Sequence, residues 1–160
     1  RRVLFRSTEA GLRLAFNPCK EVNLLRTDQI EKGINLTPEE AGQILEKNAA
    51  ELMDIEVNLK NIKSGRFKLN IRGVSINYNF ESEELSCAGK SRKLTLANDN
   101  INIRVLVDRS VIEVFADEGL IAISAGGEVF SEEKNNISIE TDDLTEIKSL
   151  KIAELESSWE

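Results

Sequence analysis

The stretch INIRVLVDRSVIEVF, residues 101–115, decides the fold. Ile101, Ile103, Val105 and Val107 take every second position, and Ile112 and Val114 resume that period after a break. Successive strand side chains point to opposite faces, so a period of two marks a strand with one face buried and one solvated. The break, Asp108-Arg109-Ser110, supplies what a corner needs. Asp and Ser side chains bond turn backbone, and an Arg-carboxylate pair can pin the turn. Two antiparallel strands joined at a structural corner are expected.

The same alternation recurs outward in both directions: Leu12-Leu14-Phe16, Met53-Ile55-Val57-Leu59, Phe67-Leu69-Ile71, Val74-Ile76-Tyr78-Phe80, Ile121-Ile123 and Leu150-Ile152. Sixteen Ile and nine Val against one Met and one Trp favour pleated packing, because strands permit the stiff χ1 of β-branched residues. Ser64-Gly65, Arg72-Gly73, Ala88-Gly89, Asn98-Asp99-Asn100, Glu118-Gly119, Gly126-Gly127 and Asn135-Asn136 punctuate these runs as turns do. The class is all-β, a sandwich or barrel. One interruption is helical. Thr37-Pro38-Glu39-Glu40 offers a hydroxyl N-cap, a Pro at the first helical position and a Glu at the third, which predicts a short helix near residues 38–46 that Asn48 ends. No repeat, linker or low-complexity tract divides the chain, so residues 1–160 read as one domain, large enough to bury roughly 70% of its unfolded surface.

Composition excludes several chemistries. With no His, imidazole zinc sites, Ser-His-Asp triads and Cys-His dyads are out. A net charge of -7 argues against a nucleic-acid partner, and no apolar run reaches the roughly 18 residues of a membrane span. Cys19 and Cys87 form no CxxC motif, and the sequence leaves open whether they pair. Paired carboxylates are the catalytic kit still available. Glu81-Ser82-Glu83-Glu84, Asp117-Glu118, Glu132-Glu133 and Asp142-Asp143 all sit beside turn residues, and each is better read as a solvated strand end. Asn98-Asp99-Asn100 and Asp142-Asp143 lack the spacing of a calcium loop, and Gly126-Gly127 lacks the context of a phosphate cradle. The glycosylation triplets at Asn35 and Asn136 are common by chance. The opening Arg1-Arg2-Val3-Leu4, without Met or a signal-peptide pattern, reads as that of an excised fragment.

Three segments carry a resemblance. VLVDRSVIEVFADEG (105–119) is similar to a fingerprint of the C-terminal β-sandwich of glycoside hydrolase family 32, which includes levanases, inulinases, invertases and sucrose-6-phosphate hydrolases. LRLAFNPCKEVNLLR (12–26) resembles the segment leaving that family's catalytic propeller, and IKSLKIAELESSW (147–159) resembles its closing strand with a terminal Trp. The resemblance implies a jelly-roll-like, concanavalin-like sandwich of two antiparallel sheets. It also implies a parent whose five-bladed propeller hydrolyses β-fructofuranosides with retention, using carboxylates in NDP, RDP and Glu-Cys motifs. Those motifs are absent here: the two prolines follow Asn17 and Thr37, and the two cysteines follow Pro18 and Ser86. No catalytic residue and no metal or cofactor site is therefore assigned, and Asp108, Arg109, Ser110 and Glu113 are read as a structural fingerprint. The implied partner is the catalytic propeller of the same polypeptide, with an exported parent favoured. Two alternatives stay open beside support of that propeller: a lectin-like module that binds fructan, and a homodimerisation module. Tyr78 and Trp159, the rings with polar handles, are the candidate sugar contacts, although such rings more often anchor a core or interface.

Overall fold

The computed structural model describes residues 2–8, 11–61, 64–96, 99–126, 136–142 and 145–157. Strands β1 (Arg2–Thr8) and β2 (Gly11–Asn17) form a hairpin, followed by a 3-10 turn (Lys20–Leu25), strand β3 (Arg26–Leu36) and helix α1 (Pro38–Lys47). Then come β4 (Met53–Asn61), β5 (Arg66–Ile71), β6 (Val74–Asn79), β7 (Glu84–Cys87), β8 (Lys90–Lys93), β9 (Asn100–Val107), β10 (Val111–Ala116), a second 3-10 turn (Asp117–Gly119), β11 (Ile121–Gly126), β12 (Ile137–Thr141) and β13 (Thr145–Leu155). A six-stranded sheet has the order β11-β10-β9-β4-β13-β3, and a five-stranded sheet has the order β12-β5-β6-β7-β8. Every pairing is antiparallel. This is the expected all-β sandwich with one short helix.

The period-two residues fill the space between the sheets. Ile55, Val57 and Leu59 of β4, Ile103 and Val105 of β9, and Ile112 and Val114 of β10 are buried opposite Phe67, Leu69, Ile71 and Ile76 of the five-stranded sheet, all in one continuous core. Their alternate neighbours point outward, so register and sequence period agree. Residues 101–115 form the expected pair, with Val105 opposite Val114 and Val107 opposite Ile112.

Helix α1 closes one open side of the sandwich by lying against β12, β3 and β13. Its capping box is complete: Glu40 N–H donates to Thr37 Oγ1 (3.2 Å), and Thr37 N–H donates to the Glu40 carboxylate (2.8 Å). Those contacts hold the Glu40 carboxyl below its ordinary pKa, the backbone bond first and the hydroxyl second. Ala41 and Leu45, one turn apart, supply the buried face. The helix comes so close to β3 that a Cβ on Gly33 would meet terminal methyls of Leu36 and Ile44 at 2.6 and 3.0 Å, so a larger residue there would make both side chains shift.

Strands β1, β3, β7, β8 and β12 were not expected from apolar alternation. Four of these lie at sheet edges or in the hairpin, and β7 is only four residues long. Edge strand β8 is the sequence KSRK with every residue exposed, a composition that discourages pairing with another chain.

Tyr78 and Cys87 are buried on the inner face of the five-stranded sheet. The Tyr78 hydroxyl donates to the Leu94 carbonyl (2.8 Å), and its ring meets Phe80 edge-on at 4.7 Å. Burial, then the charges of Glu83 and Asp117, pushes Tyr78 up to about 12; burial pushes Cys87 up to about 11 against the weaker effect of Lys90. Both cysteines are free thiols. The unfolded chain gives up these protons nearer pH 9 and 10, so their contribution to stability is complete below about pH 9 and is lost as pH rises through 11. The urea midpoint should therefore fall steadily above pH 9, and at pH 8 a thiol reagent should label native Cys19 well before Cys87. Equal labelling rates would contradict this burial. In a second test, Thr37→Ala should cost about 1 kcal/mol in urea denaturation.

Candidate functional site

The outer face of the six-stranded sheet carries a buried charge cluster. Asp54 of β4 stands in register between Leu106 of β9 and Ala153 of β13, and Arg104, which is opposite Glu56, reaches it diagonally. The Asp54 side chain has 0% exposure. Arg104 clasps it through Nε to Oδ1 (2.9 Å) and Nη2 to Oδ2 (2.7 Å), and Nη2 also donates to Asn23 Oδ1 (2.9 Å) in the first 3-10 turn. Arg26, at the head of β3, reaches Asp54 Oδ2 through Nε (2.7 Å) and also contacts Glu56. Partial burial disfavours the Arg26 charge, but the hydrogen bonds and charges of Asp54 and then Glu56 outweigh it and raise its pKa. The cluster fixes the segment that follows the hairpin onto the sheet. Glu156 N–H, just past β13, donates to Leu25 O (2.7 Å), so both ends of the sandwich meet there.

The hairpin is the most apolar exposed surface among the described residues. Phe5 pairs with Leu14 and Ser7 with Leu12, which puts Val3, Phe5, Leu12 and Leu14 on one face, exposed by 51, 73, 67 and 46%. The opposite face contains fully buried Ala15. Asn17 Nδ2 donates to Glu118 O (2.7 Å), and a Cβ on Gly119 (φ +87°) would meet Phe16 O at 2.4 Å. The hairpin thus turns one side to the sandwich and an apolar strip to solvent.

The fingerprint residues form a structural corner, with one correction. Asp108 Oδ1 accepts the Arg109 backbone N–H (2.7 Å), and Asp108 N–H donates to Val111 O (2.8 Å). The Arg109 guanidinium turns away from Asp108 and pairs with Glu51 (3.2 Å) before β4, because the Asp108 carboxylate is engaged with turn backbone. Buried Arg72, in the β5–β6 turn, donates from Nη2 to the carbonyls of Ala50 (2.6 Å) and Glu51 (3.0 Å). Three connections are thereby tied at one end. Ser110 is exposed, and Glu113 lies half-buried on β10 between Leu106 and Ser124.

Tyr78, a candidate sugar contact, is 1% exposed, so its ring offers no face for stacking; it anchors the core. Trp159, the other candidate, lies outside the described residues, as do Asn98, Gly127, Glu132, Glu133, Asn135 and Asp143. The acidic runs that are described serve turns. Asn79 Oδ1 accepts from Glu81 and Ser82 N–H, Glu83 accepts from Thr95 Oγ1 (2.7 Å), and Asp142 accepts from Thr145 Oγ1 (2.9 Å). Among the described residues no cluster of acidic or cysteine side chains has the arrangement of a metal site. Sequence reading missed Arg26, Asp54 and Arg104. Their signal was opposite charge at outward positions, on the central strands β4 and β9 and on the edge strand β3.

Removing Asp54 would leave two partly buried guanidinium groups without their shared carboxylate, Arg26 keeping only Glu56 and Arg104 only Asn23. Asp54→Ala should cost about 3 kcal/mol in urea denaturation, whereas Lys68→Ala, which breaks the exposed pair with Glu140, should cost under about 1 kcal/mol. Similar losses for the two would refute the assigned weight of the cluster.

Comparison with known proteins places this architecture. A search of curated proteins finds no sequence match. Among solved structures, exo-inulinase from Aspergillus awamori superposes with TM-score 0.77 at 14% identity, covering 99% of this chain and 35% of that one. A β-fructofuranosidase from Schwanniomyces occidentalis complexed with fructosyl-erythritol gives 0.70 at 17%, covering 98% and 40%. Sucrose-6-phosphate hydrolase from Lactobacillus gasseri gives 0.65 at 15%, covering 97% and 33%. The chain thus spans 33–40% of the length of these structures, and at such identity they speak to fold alone. The sequence profile of glycosyl hydrolases family 32, C terminal, matches residues 21–154, which include the charge cluster, both sheets and the DRS corner. The chain belongs to that family, as its C-terminal domain.

Proposed function

We propose that residues 1–160 act as one non-catalytic module of a retaining glycosidase for β-fructofuranosides, docking on the catalytic domain of the same polypeptide through the β1–β2 hairpin. The observation that carries this reading is the apolar strip Val3-Phe5-Leu12-Leu14. Monomeric proteins rarely leave contiguous apolar surface of this kind uncovered, and one rimmed by polar residues marks an interaction site. The hairpin precedes the family match at residue 21, yet the likeness to the exo-inulinase covers 99% of the chain and so takes in the hairpin. Inter-domain contacts of this sort are modest in area and position one domain on another. A role in chemistry finds no support in the residues: the carboxylates of Asp54, Glu56, Glu83, Asp108 and Asp142 are engaged in ion pairs and turns.

In the full-length polypeptide, Phe5→Asp combined with Leu14→Asp should separate the two domains thermally, turning one cooperative transition into two and lowering the midpoint of the module. The 160-residue chain alone should release no reducing sugar from sucrose or inulin. An unchanged single transition in the double variant would overturn docking through the hairpin. Fructose release by the isolated chain would overturn the non-catalytic reading. A concentration-dependent dimer of the full-length protein, abolished by the same double variant, would assign the strip to a second copy instead.

A further inference from the structure

The outer face of the five-stranded sheet divides into two unlike halves. Toward β12 its polar side chains satisfy one another: Lys68 pairs with Glu140 (3.3 Å), Asn70 Nδ2 donates to Asn136 Oδ1 (3.3 Å), and Ser75 contacts Asn70 (3.5 Å). Toward β8 they do not. Asn77, Ser86 and Ser91 stand in direct register across β6, β7 and β8. Among the described residues their side chains have no hydrogen-bond partner in the protein. These three side chains, with Ser75 and Glu84, line a groove of about 530 Å³. At the β7–β8 turn the groove ends in Gly89, where an added Cβ would meet nothing within 4 Å, so that end is open.

From this juxtaposition we propose that the groove on β6–β7–β8 binds a neutral saccharide, with Asn77, Ser86 and Ser91 as a hydrogen-bonding ladder and Glu84 accepting from ring hydroxyls. A groove of this volume is within the range of small-ligand sites, but its lining is polar where such sites are mostly apolar. Each serine hydroxyl both donates and accepts, the Asn amide does both at separate atoms, and a carboxylate accepts at two oxygens. These side chains face solvent, and a ligand that displaces water from all of them has to present closely spaced groups that donate and accept at once, as the hydroxyls of a sugar do. Strand spacing sets the ladder at intervals of about 4.8 Å. Among the described lining residues Glu84 carries the charge, which disfavours a phosphate, although Lys93 stands opposite it in register at the rim; no aromatic ring is among them, so affinity must come from hydrogen bonds. The site lies on the sheet opposite the charge cluster, and it stands or falls independently of the docking proposed above.

The test is a titration of the ¹⁵N-labelled 160-residue chain with an inulin-type oligosaccharide and, separately, with a maltose-type one, followed by amide shifts. Saturable shifts confined to Ser75, Asn77, Ser86 and Ser91 are expected with a Kd of about 1 mM. Asn77→Ala and Ser86→Val, the latter keeping a residue that strands favour, should each weaken binding by about tenfold with unchanged shifts in the core. A response to both sugars supports a general saccharide groove, and a response to the inulin type alone narrows it to fructosides. No shift with either sugar at about 10 mM, ten times that Kd, overturns the proposal. Shifts confined to another face, or binding indifferent to both substitutions in folded protein, overturn it as well.

Discussion

A carboxylate taken out of water has to be answered by charge and by donors, and the six-stranded sheet is organised around one such demand. Asp54 sits on a central strand, between β9 and β13, and the two guanidinium groups that meet it come from opposite directions. Arg104 arrives from β9 and brings Asn23 with it; Arg26 arrives from the head of edge strand β3. One side chain thus joins β4, β9, β3 and the turn after the hairpin. Breaking such a set from one side costs far more than an exposed ion pair, because the remaining charges cannot simply rehydrate. The hairpin reaches the sandwich by a separate contact at Gly119, so the apolar strip is held at a fixed place by two unrelated anchors.

The fold was legible where burial alone decides the residue type. The strands of residues 53–59, 67–71, 74–79, 101–107 and 111–116 have one face in the core, and their Ile and Val positions record it. The capping box at Thr37 and Glu40 was equally readable, because it consists of local contacts three residues apart. Strand β3 was hidden. Its outward residues include Ile30 and Ile34, both exposed, while its inward position 33 is a glycine, so the apolar signal has the opposite sense to a buried strand. Strand β8 carries no apolar residue at all. For the site, the DRS corner was legible as a corner, but its partner was not. Glu51 lies 58 positions from Arg109, and no local rule brings them together. The groove serines and Asn77 are ordinary outward residues in sequence; only register places them in one line.

The two outer faces of the sandwich differ in kind. The six-stranded face spends its polar side chains on one another, in the cluster around Asp54 and in the Asn58, Asn102 and Ser149 contacts that continue it. Half of the five-stranded face leaves them unengaged. Tyr78 shows why ring chemistry could not have settled the matter from sequence: its hydroxyl is satisfied by Leu94 O inside the protein, so the polar handle that made it a candidate is the same handle that lets it be buried.

Strand β13, the last of the described strands, lies between β4 and β3 in the interior of its sheet. Nothing else can occupy that place, since its neighbours were made 84 to 119 residues earlier, counting from Asn61 and Arg26 to Thr145. During synthesis the six-stranded sheet therefore cannot close until β13 has left the ribosome, and its halves must wait as unpaired edges with their apolar faces exposed. The module becomes a folded body only once β13 has been made, so a segment synthesised ahead of it has had time to fold first and can serve as a surface on which it assembles.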